Sequence, residues 1–288
     1  MSSLSGKKPS WLVVKAPKEE TLQQMRSLLD DLNLHVICDQ ALCPNIGNCF
    51  AHGTATFLIL GDTCTRNCYF CGVKKGEARP PDPEEAERVA QAVKRLRLKH
   101  VVVTSVTRDD LKDFGAGQFA STVRRVRALN PETRIELLVP DFKGSSEALK
   151  KVVKADPDII GHNLETVPRL YPRVRPGASY QRSLKLLKMI KLLNGAVLTK
   201  SGLMLGLGEK EREILGVMKD LRSVDCNILT LGQYLQPSQR QLKVEEYITP
   251  EKFKEYQEIG LRLGFAYVAS GPLVRSSFNA GEYSWSLV

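Results

Sequence analysis

The chain has 288 residues, 42% of them hydrophobic and 26% charged, and 42 Lys and Arg against 32 Asp and Glu give a formal charge of +10. These proportions belong to a folded chain and exclude global disorder or a coiled coil, and the longest apolar runs, such as 55–60, are far too short to cross a bilayer. The basic balance favours an acidic partner; with no arginine-rich run interleaved with aromatics, an acidic protein surface fits better than nucleic acid.

Residues 1–17 are rich in Lys, Ser and Pro and read as a mobile arm. Lys7, Lys8, Lys15 and Lys18 stand near Glu19 and Glu20 with no long apolar segment, so no signal or transit peptide is expected. Leu22, Met25, Leu28 and Leu29 form one stripe and predict a helix over 20–34. A loop containing Pro44, Asn45 and Gly47 follows. From there apolar runs at 55–60, 101–106, 135–139, 158–161, 197–205 and 227–231 each precede a helical pattern. The clearest helix opens at Asp82-Pro83-Glu84-Glu85, with Asp82 as N-cap and Glu85 as capping-box acid. The last opens at Thr249-Pro250 and runs to 264, with Phe253, Tyr256, Ile259 and Leu263 inward. Six β-then-α units predict an α/β fold with a parallel sheet. They are too few for an eight-fold barrel, so the expected architecture is a partial, open (β/α)6 TIM-like barrel, with a flat doubly wound sheet as the alternative. The expected divisions are an N-terminal extension (1–53), the barrel (54–270) and a C-terminal tail (271–288).

Six of the seven cysteines fall between Cys38 and Cys71. An odd, clustered count argues against a secreted disulfide framework and for a reducing, cytoplasmic setting. Cys226 stands apart, and its expected role is a small buried side chain. Cys38, Cys43 and Cys49 are spaced C-x4-C-x5-C, and Cys64, Cys68 and Cys71 are spaced C-x3-C-x2-C. A [4Fe–4S] cube ordinarily takes four thiolates, so each triplet leaves one iron open for another ligand. The second triplet directly follows the first predicted strand, where parallel α/β folds hold their chemistry. A zinc site is the competing reading; zinc wants four protein ligands, and His52 is the only further candidate nearby in sequence.

The string from Cys64 to Cys71, C-x3-C-x-aromatic-C, resembles the radical S-adenosylmethionine (SAM) superfamily. That resemblance implies that Cys64, Cys68 and Cys71 hold a [4Fe–4S] cluster whose open iron binds SAM, with Phe70 near the adenine, and that SAM is cleaved to a 5′-deoxyadenosyl radical. The first triplet, together with Val274-Arg275-Ser276-Ser277-Phe278, Thr104-Ser105-Val106-Thr107-Arg108-Asp109-Asp110, Gly161-His162-Asn163-Leu164-Glu165-Thr166, Arg173-Val174-Arg175-Pro176 and Gln233-Tyr234-Leu235-Gln236-Pro237, is similar to the lipoyl synthase family from about residue 31 to 280. The family implies a second, auxiliary [4Fe–4S] cluster on Cys38, Cys43, Cys49 and the oxygen of Ser277. Its sulfides are consumed in inserting two sulfur atoms at carbons six and eight of a protein-bound octanoyl-lysine. It implies SAM contacts from Asn163, Glu165 and Arg175, and a tail tethered by Ser277 that closes the site. Arg275 is expected to neutralise the auxiliary cluster, to contact the acyl amide or to form a surface ion pair. Phe278 departs from the tyrosine usual in the family and removes a hydroxyl but no ligand. The implied partners are octanoylated lipoyl domains of 2-oxoacid dehydrogenase complexes, the glycine-cleavage H protein, and a flavodoxin or ferredoxin as electron donor. Two alternatives remain at this stage. One is a tRNA methylthiotransferase, for which the roughly 60 residues before Cys64 leave no room for the extra N-terminal domain. The other is a non-catalytic iron–sulfur or zinc module that binds nucleic acid.

Overall fold

The computed structural model describes residues 8–14, 19–41, 43–51, 55–278 and 280–281. Within the expected arm, Ser10–Leu12 forms a single 3-10 turn that buries Leu12. Helix α1 (Glu19–Asp31) buries Leu22, Met25 and Leu29, the face its spacing dictates. A two-residue strand β1 (His35–Val36) leads into short helices α2 (Ile37–Gln40) and α3 (Ile46–Ala51), and β1 pairs antiparallel with β2 (Thr56–Ile59). Strands β3 (Thr63–Cys64) and β4 (Lys74–Lys75) form a small parallel ribbon that brackets the second cysteine loop.

The chain then alternates through α4 (Glu85–Leu96), β5 (His100–Ser105), α5 (Ala116–Leu129), β6 (Arg134–Leu138), α6 (Ser146–Val153) and β7 (Ile159–Gly161). It continues through α7 (Tyr171–Val174), α8 (Tyr180–Leu193), β8 (Leu198–Leu205), α9 (Glu211–Ser223), β9 (Ile228–Gln233), α10 (Pro250–Arg262) and β10 (Tyr267–Gly271). The sheet order is β1-β2-β5-β6-β7-β8-β9-β10, parallel throughout from β2 to β10. The six expected βα units are present, and β10 adds a seventh parallel strand that the apolar pattern did not announce. Among the described residues β1 and β10 do not pair, so the sheet stays open.

It is nevertheless curled. Strands β2 and β7 stand three places apart, which is about 14 Å in a flat sheet. Yet two successive tail residues reach both sides: Ser277 Oγ accepts from Thr56 Oγ1 of β2 at 2.7 Å, and Ser276 Oγ donates to Asn163 Oδ1 just beyond β7 at 3.1 Å. Lys200 Nζ of β8 likewise reaches Glu136 Oε1 of β6 across β7 at 2.6 Å. This is the partial barrel and not the flat sheet.

The two faces separate by strand alternation. Val101, Val103, Ile160 and Leu229 pack outward in the main core, while Val102, Ile159 and Ile228 meet Ala280 of the tail on the concave face. The extension and the barrel share one core, since Leu34, Val36 and Cys38 belong to the same buried cluster as Phe57 and Val103.

Helix α4 begins later than its capping signal. Asp82 Oδ1 accepts from Glu84 N at 2.9 Å and closes a turn before the helix. Glu85 does not turn back to cap; it is buried and accepts from Leu60 N with both oxygens, at 3.1 and 2.9 Å, and from Gln118 Nε2 at 2.9 Å. It thereby fixes the end of β2 four residues before Cys64. In α10, Thr249 caps as expected, accepting from Lys252 N at 3.3 Å.

Candidate active site

The loop after β2 carries Cys64, Cys68 and Cys71 to the C-terminal edge of the sheet. Each turn of it is pinned. Thr65 N and Oγ1 both donate to Thr107 O, at 3.0 and 2.9 Å, and Tyr69 N donates to Val174 O at 2.9 Å. Cys71 N donates to Cys68 O at 3.1 Å, and Arg66 N approaches Cys64 Sγ at 3.5 Å. Arg66, between the first two cysteines, is the main anchor. Its guanidinium grips Asp109 at 2.7 and 2.9 Å and Asp141 at 2.6 Å, and Asp141 also accepts from Arg182 Nε at 2.7 Å. Loops after β2, β5 and β6 and the start of α8 are thus locked together by charge-assisted bonds. The side chain of Asp141 is fully buried, so removal of Arg66 leaves a poorly compensated internal charge, a change that typically costs about 3–5 kcal/mol. Motif spacing singled out the cysteines; it gave no signal for this four-residue clamp, whose members lie far apart in sequence.

The residues expected around SAM come to the same edge. Arg175 is buried, donates from Nη1 to Asn163 O at 2.7 Å and Leu164 O at 3.1 Å, and lies 5.4 Å from the centroid of the Tyr171 ring. Its buried Nε has no partner among the described residues. Glu165 sits at φ 69°, held by Glu165 N to Gly202 O at 2.9 Å and Met204 N to Glu165 O at 2.8 Å. Burial raises the Glu165 pKa, opposed by Arg175 and a hydrogen bond from Asn163. Burial pushes Cys68 up to about 11, again opposed by Arg175 and reinforced by the neighbouring Cys71, Cys64 and Glu165. Cys64, Cys68, Cys71, Glu165 and Arg175 are therefore electrostatic neighbours. Phe70 packs, partly buried, against the core from the same loop.

The first triplet forms a second site. Cys38 on α2, Cys43 in the connection that follows it, and Cys49 on α3 line one small pocket with Asn45, Ala55, Thr56, Arg275, Ser277 and Phe278. Cys43 N donates to Cys38 O at 3.0 Å and Cys49 N to Asn45 O at 2.9 Å, while Asn45 Nδ2 holds the tail at Leu273 O at 2.7 Å. Burial pushes Cys38 up to about 12 and Cys49 up to about 11. Burial also raises Cys43, with Arg275 opposing, and lowers the Arg275 guanidinium, with Cys43 opposing. A Cβ added at Gly72, next after Cys71, would stand 3.3 Å from Gln40 O at the end of α2, so the two cysteine segments run close together.

Among the described residues no three His, Cys, Asp or Glu side chains converge closely enough to hold a single ion. The first triplet stands instead around a pocket, with a serine oxygen as a fourth donor. Thiols whose burial keeps them protonated become good ligands only against a strongly cationic core, and this donor set suits an iron–sulfur cube. His52 lies outside the described residues. Cys226 is fully buried, and burial pushes its thiol up to about 12, so it is an inert packing residue.

The curled parallel sheet, with a tri-cysteine loop at the C-terminal end of its first parallel strand, defines a radical SAM enzyme. A sequence profile described as the Radical SAM superfamily matches residues 58–221. Among solved structures, Streptococcus suis SuiB bound to precursor peptide SuiA superposes with a TM-score of 0.60 at 13% identity, over 96% of this chain and 59% of that one. HydG, a maturase of the [FeFe]-hydrogenase, does so with a TM-score of 0.59 at 14% identity, over 90% and 57%. The chain spans about three fifths of those proteins, and the likeness is one of fold. The curated relatives are nearer. Lipoyl synthase of Caldanaerobacter subterraneus subsp. tengcongensis is 57% identical over 95% of this chain and 96% of its own. Lipoyl synthase of Caldicellulosiruptor saccharolyticus is 53% identical over 96% and 97%. The chain belongs to the lipoyl synthase family. It is accordingly a radical SAM sulfur-inserting enzyme that uses a [4Fe–4S] cluster and SAM, and neither a tRNA methylthiotransferase nor a nucleic-acid-binding module.

Proposed function

We propose that the protein inserts two sulfur atoms, at carbons six and eight, into an octanoyl chain carried on a lysine of a lipoyl domain or glycine-cleavage H protein. The observation that carries this reading is the meeting of Cys38, Cys43, Cys49 and Ser277 at one pocket, in a segment that runs close beside the radical SAM loop. Bound at these sites, a radical SAM cluster with SAM supplies the hydrogen-abstracting radical, and an auxiliary cluster supplies sulfide. Cys64, Cys68 and Cys71 hold the first, leaving one corner for SAM; Cys38, Cys43, Cys49 and Ser277 hold the second. Arg175, with its free Nε, suits a carboxylate; Asn163 and Glu165 suit hydroxyl and amine groups, and Phe70 suits the adenine. Arg275 is the one cation lining the first-triplet pocket among its described residues, and there it offsets the thiolate charge. The Arg66 clamp keeps the second loop fixed, since attack geometry must hold reacting atoms roughly 3–3.5 Å apart. A flavodoxin or ferredoxin supplies electrons, and free thiols suit the reducing cytoplasm.

The test is anaerobic incubation of reconstituted protein with SAM, reductant and an octanoyl-lysyl peptide, followed by mass analysis. Two sulfur atoms should enter each peptide. Cys43→Ala should lower bound iron from about eight to about four per chain, as loss of one cube requires. It should abolish sulfur insertion while 5′-deoxyadenosine still forms. Loss of both reactions would overturn the separation of the two sites.

A further inference from the structure

Ser276 precedes the proposed auxiliary ligand Ser277, and the two hydroxyls point to different sites. Ser277 Oγ receives the Thr56 hydroxyl in the auxiliary pocket, whereas Ser276 Oγ donates to Asn163 Oδ1 at 3.1 Å. Asn163 also favours the ionised form of Glu165, against the rise that burial imposes on that carboxyl. A carboxylate can only accept, so Ser276 and Glu165 together favour the amide sense in which Oδ1 faces the tail. Glu165 in turn faces Arg175 and Cys68. The Ser276–Asn163 bond therefore ties the tail beside Ser277 to a residue in the electrostatic neighbourhood of the radical SAM loop.

The seat for this path is built into the sheet. A Cβ at Gly202 would stand 3.0 Å from Asn163 Oδ1 and 2.5 Å from Thr230 Oγ1. A Cβ at Gly232 would stand 2.0 Å from Val274 O. Side chains are missing from the concave face of β8 and β9 at the places where Asn163 and the tail backbone lie against it. Further along, Ala280 is buried among Val102, Ile159 and Ile228, which anchors the tail beyond Ser277.

We propose that Ser276 is a positioning residue that couples the two sites: occupancy of the auxiliary pocket, by seating the tail, sets the Asn163 amide and strengthens SAM binding. The coupling is reciprocal, because linkage requires that SAM equally favour the seated tail. The chemical sense is that SAM binds best when a sulfur source is in place, so that radicals form less readily at subsaturating SAM without one. The inference rests on the two-cluster reading above.

The experiment is a double-mutant cycle on SAM affinity, measured by equilibrium dialysis with the non-reduced, reconstituted protein, so that no turnover is involved. Four proteins are compared: wild type, Cys43→Ala, Ser276→Ala and the double variant. Loss of the auxiliary cluster in Cys43→Ala should weaken SAM binding by about five- to tenfold, the usual size of such couplings. In the Ser276→Ala background the same loss should change affinity less than about twofold. A merely structural role for Ser276 would weaken binding equally in both backgrounds and preserve the ratio, which overturns the proposal. So would a wild-type affinity indifferent to Cys43→Ala while iron analysis shows one cube gone. If iron content itself is unchanged by Cys43→Ala, the two-cluster reading fails, and the proposal fails with it.

Discussion

His162 directly follows the end of β7, within hydrogen-bond reach on both sides of its ring. Nδ1 lies 2.8 Å from Val139 O and Nε2 2.9 Å from Ser183 Oγ. A carbonyl can only accept, so Nδ1 carries a proton, and in the neutral ring Nε2 accepts from the serine. Burial, with help from Arg175, lowers its pKa from 6.5 to about 4, against the opposing pull of Val139 O and Asp141. The sign follows from proton counting. Between pH 6.5 and about 4 the unfolded chain binds a proton that the folded one refuses, so stability is complete above 6.5 and falls as pH drops through this window. At pH 5 the loss is about 2 kcal/mol. His162→Gln keeps a donor toward Val139 and an acceptor toward Ser183 without the titration. Its urea-unfolding free energy should therefore fall between pH 7.5 and 5 by about 2 kcal/mol less than that of the wild type. Equal acid sensitivity in the two proteins would show that the ring does not titrate as its surroundings require. At this scale the cysteines were legible because each triplet is local in sequence, Cys38 to Cys49 and Cys64 to Cys71. Arg66, Glu85 and Ser276 were not, because each acts on a partner tens to hundreds of positions away.

Elements were legible wherever burial on the outer face imposed an apolar run. Strands β2, β5, β6, β7, β8 and β9 lie within one or two residues of the runs that announced them. Strand β10 escaped because Tyr-Val-Ala-Ser-Gly is short and largely half-buried; its small residues border the tail. The start of α4 was misplaced because Glu85, which fits a capping box, is drawn instead to the backbone of Leu60. The tail gave no periodic signal at all, since a glycine gap in β9 makes room for its backbone. That gap can be tested directly. Gly232→Ala puts a methyl group 2.0 Å from Val274 O, a backbone atom that must move. Overpacking of this kind costs about 1–3 kcal/mol, and here it also unseats the segment that carries Ser277. The variant should melt a few degrees lower and retain only about half the wild-type iron after reconstitution, while still cleaving SAM. Gly216→Ala in α9 is the control: nothing stands within 4 Å of its added Cβ, and the gain in helix propensity should leave it as stable or more so by about 0.5–1 kcal/mol. Full iron in Gly232→Ala would mean that the tail seat does not position the fourth ligand.

On the scale of the whole molecule, part of the excess charge of +10 gathers in one groove. A surface groove between the connection after β5 and helix α6 is lined by Lys112, Lys150, Lys151 and Lys154. Glu147 pairs with Lys150 at 3.0 Å and Asp113 with Lys151 at 2.9 Å, so Lys112 and Lys154 supply the net positive charge of the groove. Lys112 lies in the loop after β5, on the same edge of the sheet as the radical SAM loop, the edge at which the proposed octanoyl-domain substrate would deliver its acyl-lysine. Attraction between opposite charges in solvent is long-ranged only at low salt, because the Debye length shrinks from about 30 Å at 0.01 M to about 8 Å at 0.15 M. With an acidic octanoyl-domain as substrate, kcat/KM should therefore fall by about an order of magnitude from roughly 0.02 to 0.3 M salt. A short neutral octanoyl-lysyl peptide should show almost no change, since it has no charge to steer. Lys112→Glu together with Lys154→Glu should flatten the salt profile of the domain and leave that of the peptide untouched. Identical profiles for domain and peptide would mean that the positive surface keeps the protein in solution and does not select its partner.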